Sequence, residues 1–244
     1  MYGLVYVAGW LAAVFLRFRR FDYFVPSFSY ALYIATFAAL GAIMGGRVGY
    51  VLFYEPAYYA QHMTEIPLLY LGGMSFFGGA LGLVLVLCAV HPRGFWSNLD
   101  HLCLLACLIL PLGRLANFLN GELWGTVTDL PWGVIFEGAG SLPRHPVQLY
   151  EAVLEGPLLL TAVLAVRRIM GTGNGAKPGM VSLLFGFFYA LFRFAAEFFR
   201  EPDRVTGYVW LIFTPGHVLS LLLMLAVSAL FMMRFVFPSR RRVR

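Results

Sequence analysis

Three basic residues occupy positions where a basic residue is costly. Arg47, Arg114 and Arg193 each lie inside an apolar stretch long enough to cross a bilayer. At that depth a guanidinium costs at least about 2.5–3.5 kcal/mol on insertion scales, so it faces a polar interior, either for a task or in an ion pair that locks two helices. The neighbours sharpen the choice. On a helix, Asn117 at i+3 shares a face with Arg114, while Tyr189 at i−4 and Glu197 at i+4 share one with Arg193. Guanidinium is planar, always charged and bidentate, which makes it the better phosphate partner. Several of them at one depth suit an anionic headgroup, and the residues point to a phospholipid phosphate site.

Stretches of about 20 apolar residues cross the hydrocarbon core as helices. Seven occur, near 2–18, 30–53, 74–90, 99–119, 148–166, 180–199 and 215–237. The chain has 244 residues, 60% hydrophobic and only 12% charged. A soluble domain carries about 25% charged residues. This excludes a soluble globular enzyme, a disordered chain and a disulfide scaffold. The expected fold is all-α: one polytopic membrane domain over 1–244 with seven transmembrane helices. No period of 20–50 residues repeats. Cys88, Cys103 and Cys107 sit in apolar runs without ligand spacing and read as buried structural thiols.

Charge sets the orientation, because cytoplasmic loops collect Lys and Arg. With the N-terminus outside, the inner loops and tail hold Arg17, Arg19, Arg20, Arg93, Arg167, Arg168, Lys177, Arg234, Arg240, Arg241, Arg242 and Arg244, which is 12 of 18 basic residues. The outer loops hold Arg144, Arg200 and Arg204. The net charge of +6 therefore reports topology, not nucleic-acid binding. The first stretch is not a signal peptide, since its positive charge follows the apolar run. Outer loops 54–73 and 120–147 are aromatic, and the second, rich in Gly and Pro, is expected to form a small folded cap. The inner GTGNGAKPG reads as a connector. Spans two, four and six run outward, so all three arginines fall in the outer half of the membrane. Gly41, Gly45 and Gly49, with Gly78 and Gly82, make small-residue steps suited to close helix contact.

GRLANFLNGELWG at 113–125 resembles the signature of the prolipoprotein diacylglyceryl transferases. RHPVQLYE at 144–151, GGRVGYVLFY at 45–54, GGMSFFGG at 72–79, YALFRFAAEFFREPD at 189–203 and YGLVY at 2–6 match that family in its order. The resemblance covers nearly the whole chain. It implies transfer of a diacylglyceryl group from phosphatidylglycerol to the lipobox cysteine of a prolipoprotein signal peptide. A thioether forms and glycerol phosphate leaves, at the outer leaflet of the bacterial inner membrane. By motif, Arg114 is the family's phosphatidylglycerol-binding arginine. Asn117, Glu122 and Gly125 are further signature positions. Arg193, Tyr189 and Glu197 match the second arginine and its companions, Tyr2 the first-span tyrosine and His145 the second-motif histidine. Arg47, Arg114, Asn117, Gly125 and Arg193 are the expected substrate-binding set. No metal or cofactor is expected.

The departures are specific. Phe77 stands where the family has a histidine proposed as the thiol's base, Ala116 replaces a glycine, and His217 stands where Gln is usual. The resemblance implies an outer segment ahead of Tyr2 that this sequence is expected to do without, and a longer connection than that between 125 and 144. A displacement at the glyceryl carbon needs a thiolate and a stabilised leaving phosphate. The expectation is that Arg114 and Arg193 grip the phosphate, Glu122 and Glu197 hold the arginines, and Asn117 orients the headgroup. His145, Glu151 and Glu197 are candidate bases, or Arg⁺ alone lowers the thiol pKa. Two other readings stand beside this one: a catalytically degenerate paralogue that binds lipid or precursor, and a membrane transporter. The lone His62, His91 and His101 read as satisfied polar residues.

Overall fold

The computed structural model of the chain describes residues 2–15, 28–170, 177–202, 207–209 and 212–237. Among these, the α-helices are α1 (Tyr2–Phe15), α2 (Phe28–Phe53), α3 (Pro56–Gln61), α4 (Phe76–Val90), α5 (Phe95–Leu119), α6 (Val147–Val153), α7 (Leu159–Ile169), α8 (Met180–Glu197) and α9 (Pro215–Phe231). A π-helical turn, Leu154–Leu158, joins α6 to α7, and another, Met232–Val236, extends α9. Each apolar stretch of the sequence overlaps one of these elements. Five are long and apolar enough to cross a membrane: Phe28–Phe53, Pro92–Leu119, Val147–Ile169, Met180–Glu197 and Pro215–Val236. Gly3–Val14 and Phe76–Val90 are shorter apolar helices. The protein is a polytopic α-helical membrane protein. Arg17, Arg19, Arg20, Arg204, the tail arginines from Arg240 and most of the 171–179 connector lie outside the described residues.

The chain divides into two compact units, Trp10–His101 and Met1–Gly9 with Leu102–Arg244. The first is built on α2 against α4. A Cβ on Gly41 would stand 2.7 Å from the Gly82 carbonyl oxygen, and one on Gly49 would stand 2.8 Å from Gly78 Cα. Backbones this close admit only glycine, so the small-residue steps are a tight helix crossing. At the other end of this pair Tyr30 donates to Asn98 Oδ1 at 3.2 Å and lies 3.1 Å from His91 Nδ1. His91 is thus a satisfied polar residue. His62 likewise meets the Tyr58 carbonyl at 3.0 Å.

In the second unit α8 is central: nine of its 18 residues are buried, against three of the 17 in α9, which leaves most of α9's apolar surface for lipid. The helix after the cap is irregular by design of its sequence. Gly156 departs from helical geometry at φ −105° and ψ −105°, one residue before Pro157. Proline removes an N–H and crowds the preceding turn. Gly156 packs on the ring of Pro111, the proline inside α5, so closely that a side chain would collide with it. Two backbone irregularities therefore face each other and bring α5 against the π turn.

Two sequence expectations need adjustment. α5 starts at Phe95, not near 99, because Pro92 opens a 3-10 turn, Pro92–Gly94, that leads straight into it. Of the cysteines only Cys107 is buried: Cys103 is half-buried and Cys88 is exposed. A thiol on the outside of an apolar helix meets lipid, not water, so exposure there is cheap.

Candidate functional site

The site grows from three helical stripes in the second unit. Gln148, Glu151 and Glu155 follow at i+3 and i+4 along the helix after the cap and are at most 1% exposed. Tyr189, Arg193 and Glu197 form an i, i+4, i+8 stripe on α8. Arg114 and Asn117 lie one turn from the end of α5. Buried in an apolar bundle, such polar side chains must find polar partners within the protein.

They do so as a ladder of charge. Arg114 Nε and Nη2 hold Glu155 Oε2 and Oε1 at 2.8 and 2.9 Å, a bidentate pair. Arg114 Nη1 lies 3.1 Å from Glu151 Oε2. The other Glu151 oxygen accepts from Arg193 Nη1 and lies 3.7 Å from Arg200 Nη1. Arg193 Nη2 meets Glu197 Oε2 at 2.6 Å. The Thr214 hydroxyl donates to Glu197 Oε1 at 2.7 Å. Three arginines and three glutamates are thereby joined, and their formal charges cancel. Burial, and then the charge of Arg193, hold the Arg200 guanidinium below its usual value. The Tyr189 ring is buried, in the field of Arg114, Arg193, Glu151 and Glu155.

The α9 N-terminus closes the ladder. Thr214 and His217 form a capping box: Thr214 N–H donates to His217 Nδ1 at 3.2 Å, with Pro215 in the first turn. Gly216 admits the Glu197 carboxylate against that end, where a Cβ would overlap it. A carboxylate there also meets the positive end of the helix dipole.

The signature loop reaches the same place by turns. Gly121 ends α5 with φ +65°, and Leu123 takes φ +58°, strain that a leucine bears only where its surroundings hold it. Asn117 is buried and its carbonyl accepts from Glu122 N–H at 2.9 Å. The Gln148 amide donates to the Glu122 carbonyl at 2.6 Å. Gly125 has no room for a side chain, since His145 and the Phe199 carbonyl close on it. Gly125 N–H donates to the His145 carbonyl at 3.0 Å, and Thr126 N–H to the Phe199 carbonyl at 2.9 Å. Arg144 holds the cap through the Gly125 carbonyl at 3.0 Å and Glu201 at 3.1 Å. The His145 ring packs on Phe199 and lies 3.2 Å from the Tyr150 hydroxyl.

The structure thus brings together Arg114, Tyr189, Arg193 and Glu197, with Asn117 buried one turn after Arg114 on α5. At three further positions the structure shows the surroundings. Glu122 is exposed, and Glu151 and Glu155 are carboxylates on Arg114. Gly125 serves as a packing point between chain segments. Arg47, expected in the substrate-binding set, belongs to the other unit and is only 3% exposed. It donates to the carbonyls of Ile66 (2.7 Å), Glu65 (2.8 Å), Leu68 (3.3 Å), Gly73 (3.3 Å) and Gly72. A guanidinium has five N–H donors, so none is left for a phosphate. Tyr2 opens α1, and its side chain lies outside the described residues. The sequence reading missed Glu155, Arg200 and Thr214. Glu155 carried a signal: a second carboxylate, at i+4 from Glu151, inside an apolar span.

These features define a polytopic membrane protein with a buried arginine–glutamate site. The family model of the prolipoprotein diacylglyceryl transferases matches residues 1–233. A phosphatidylglycerol--prolipoprotein diacylglyceryl transferase of Geobacter sulfurreducens is 46% identical over 90% of this chain and 84% of its own length. Those of Nitratidesulfovibrio vulgaris and Brucella ovis are 44% and 46% identical over 90% of the chain and 83% and 82% of theirs. The chain belongs to the prolipoprotein diacylglyceryl transferase family and is a transferase. The non-catalytic paralogue and the transporter are not favoured.

Proposed function

We propose that the chain transfers the diacylglyceryl group of phosphatidylglycerol to the lipobox cysteine thiol of prolipoproteins, in the inner membrane, with its site toward the outer leaflet. The observation that carries this is Arg114 and Arg193 held on the two oxygens of one carboxylate, in a chain whose relatives bear this activity's name. Two guanidiniums set to share one pair of oxygens are also set to share a phosphate's. The thiolate displaces the glyceryl carbon from its phosphate oxygen, forming the thioether and releasing glycerol phosphate. Fixed guanidiniums in a dry site stabilise the departing charge without reorganising. Glu155 and Glu197 keep the two arginines in place, Thr214 steadies Glu197, and Tyr189 borders the pair.

The test is purified protein with phosphatidylglycerol vesicles and a lipobox peptide, the thioether product read by mass spectrometry. Wild type should form it, and Arg114→Ala or Arg193→Ala should slow it at least about hundredfold. Absence of product from wild type would overturn the proposal.

A further inference from the structure

Glu151 occupies the place the reaction needs. It is fully buried, and its two oxygens sit between the two arginines assigned to phosphate, with Arg200 beyond. The hold is uneven. Oε1 accepts from Arg193, whereas Oε2 is 3.1 Å from Arg114 Nη1 but has no aligned hydrogen bond. Arg114 is fixed instead by its bidentate pair with Glu155, and Arg193 by Glu197. Both arginines would therefore keep a carboxylate partner if Glu151 left. With three positive and three negative groups the ladder is already neutral, so an added phosphate repels the glutamates unless one of them yields its place or its charge.

We infer that Glu151 is the anion the phospholipid phosphate displaces from between Arg114 and Arg193, and that the displaced carboxylate accepts the thiol proton. The inference rests on the proposed transferase reading and deepens it. It supplies a proton acceptor in a chain that has Phe77 where its relatives' motif has histidine. The step balances. The S–H proton passes to a Glu151 oxygen. Carbon–sulfur bonding forms at the glyceryl carbon while its bond to the phosphate oxygen breaks, and the electron pair stays on that oxygen. Glu151 ends neutral, and the glycerol phosphate ends doubly negative, facing Arg114 and Arg193. A carboxylate clamped by two arginines is a poor base, and phosphate binding removes the clamp. Proton uptake is thereby tied to the presence of the lipid.

Glu151→Gln separates this from a structural strut. The charged groups facing position 151 are Arg114 from α5, Arg193 from α8 and Arg200 after it, with Glu155, Glu197 and Tyr189 nearby. Assayed with lipobox peptide against the mole fraction of phosphatidylglycerol in mixed micelles, E151Q should lower KM for the lipid about tenfold, since the competing anion is gone. It should lower kcat at pH 7 at least about hundredfold. Its residual rate should climb tenfold per pH unit toward the thiol's own ionisation near pH ~8.5, where wild type climbs less. A KM that rises with the loss of kcat, or a kcat that stays at the wild-type value, overturns the inference. If E151Q is not recovered folded, Glu151→Asp keeps the charge and carries the test: an unlowered KM and a wild-type pH profile support it, and a lowered KM overturns it. Inactive wild type would instead defeat the transferase reading itself.

Discussion

At the scale of the residue, burial and partner number separate roles that residue type alone leaves equal. Glu122 stands in the signature beside Arg114 and Glu155 lies 41 residues further on, yet Glu155 is 1% exposed and bidentate to Arg114, whereas Glu122 is exposed. Removing one partner of a buried pair leaves an uncompensated charge, so Glu155→Ala should cost about 3–5 kcal/mol. Glu122→Ala, at an exposed position, should cost less than Glu155→Ala, whatever it does to turnover. Thermal unfolding in detergent reads both. His217 stands where the resemblance implies glutamine, and its geometry suits that place. As the third residue of α9 it accepts from the Thr214 N–H, the task that glutamine performs at the same place in a capping box. His217→Gln should therefore keep wild-type stability and transfer, while His217→Leu should lower stability by about 1 kcal/mol in the same assay.

At the scale of the element, Arg47 is a strut that holds a loop. Its five donors gather carbonyls from Glu65 to Gly73, and its guanidinium lies 5.1 Å over the Tyr59 ring. Lysine offers three donors from a single point and cannot span that arc. Arg47→Ala and Arg47→Lys should both expose the 55–73 segment, seen as faster limited proteolysis within it. The α2–α4 crossing is as exacting. Gly45→Val would press a side chain onto Gly82, whose Cα already stands 2.7 Å from a Cβ at 45. The variant should lower stability by more than about 2 kcal/mol, with the helix pair forced apart.

At the scale of the whole molecule, the charge bias of the sequence argues for an exoplasmic N-terminus and a cytoplasmic tail. In a variant without the native cysteines, a cysteine near Ser239 should react with a membrane-impermeant maleimide only in opened cells or inside-out vesicles. One at Thr126 or Leu142, in the cap, should react from outside. Labelling in the reverse sense would turn the proposed site toward the cytoplasm.

Membrane character, the positions of the helices and the identity of Arg114, Arg193, Tyr189 and Glu197 were legible in the sequence, because each rests on a local quantity. A run of apolar residues makes a span, an intramembrane charge is conspicuous for its cost, and i, i+4 spacing puts neighbours on one face. Pairing across helices is not local. Which carboxylate reaches Arg114 depends on the Gly156–Pro157 irregularity meeting Pro111, and that meeting carries Glu151 and Glu155 to α5. Whether Arg47 faces lipid phosphate or backbone depends on where a 20-residue loop returns its carbonyls. Only the tertiary structure decided these, because hydrogen-bond donors are satisfied by whatever packing brings within 3 Å, and sequence distance does not set that.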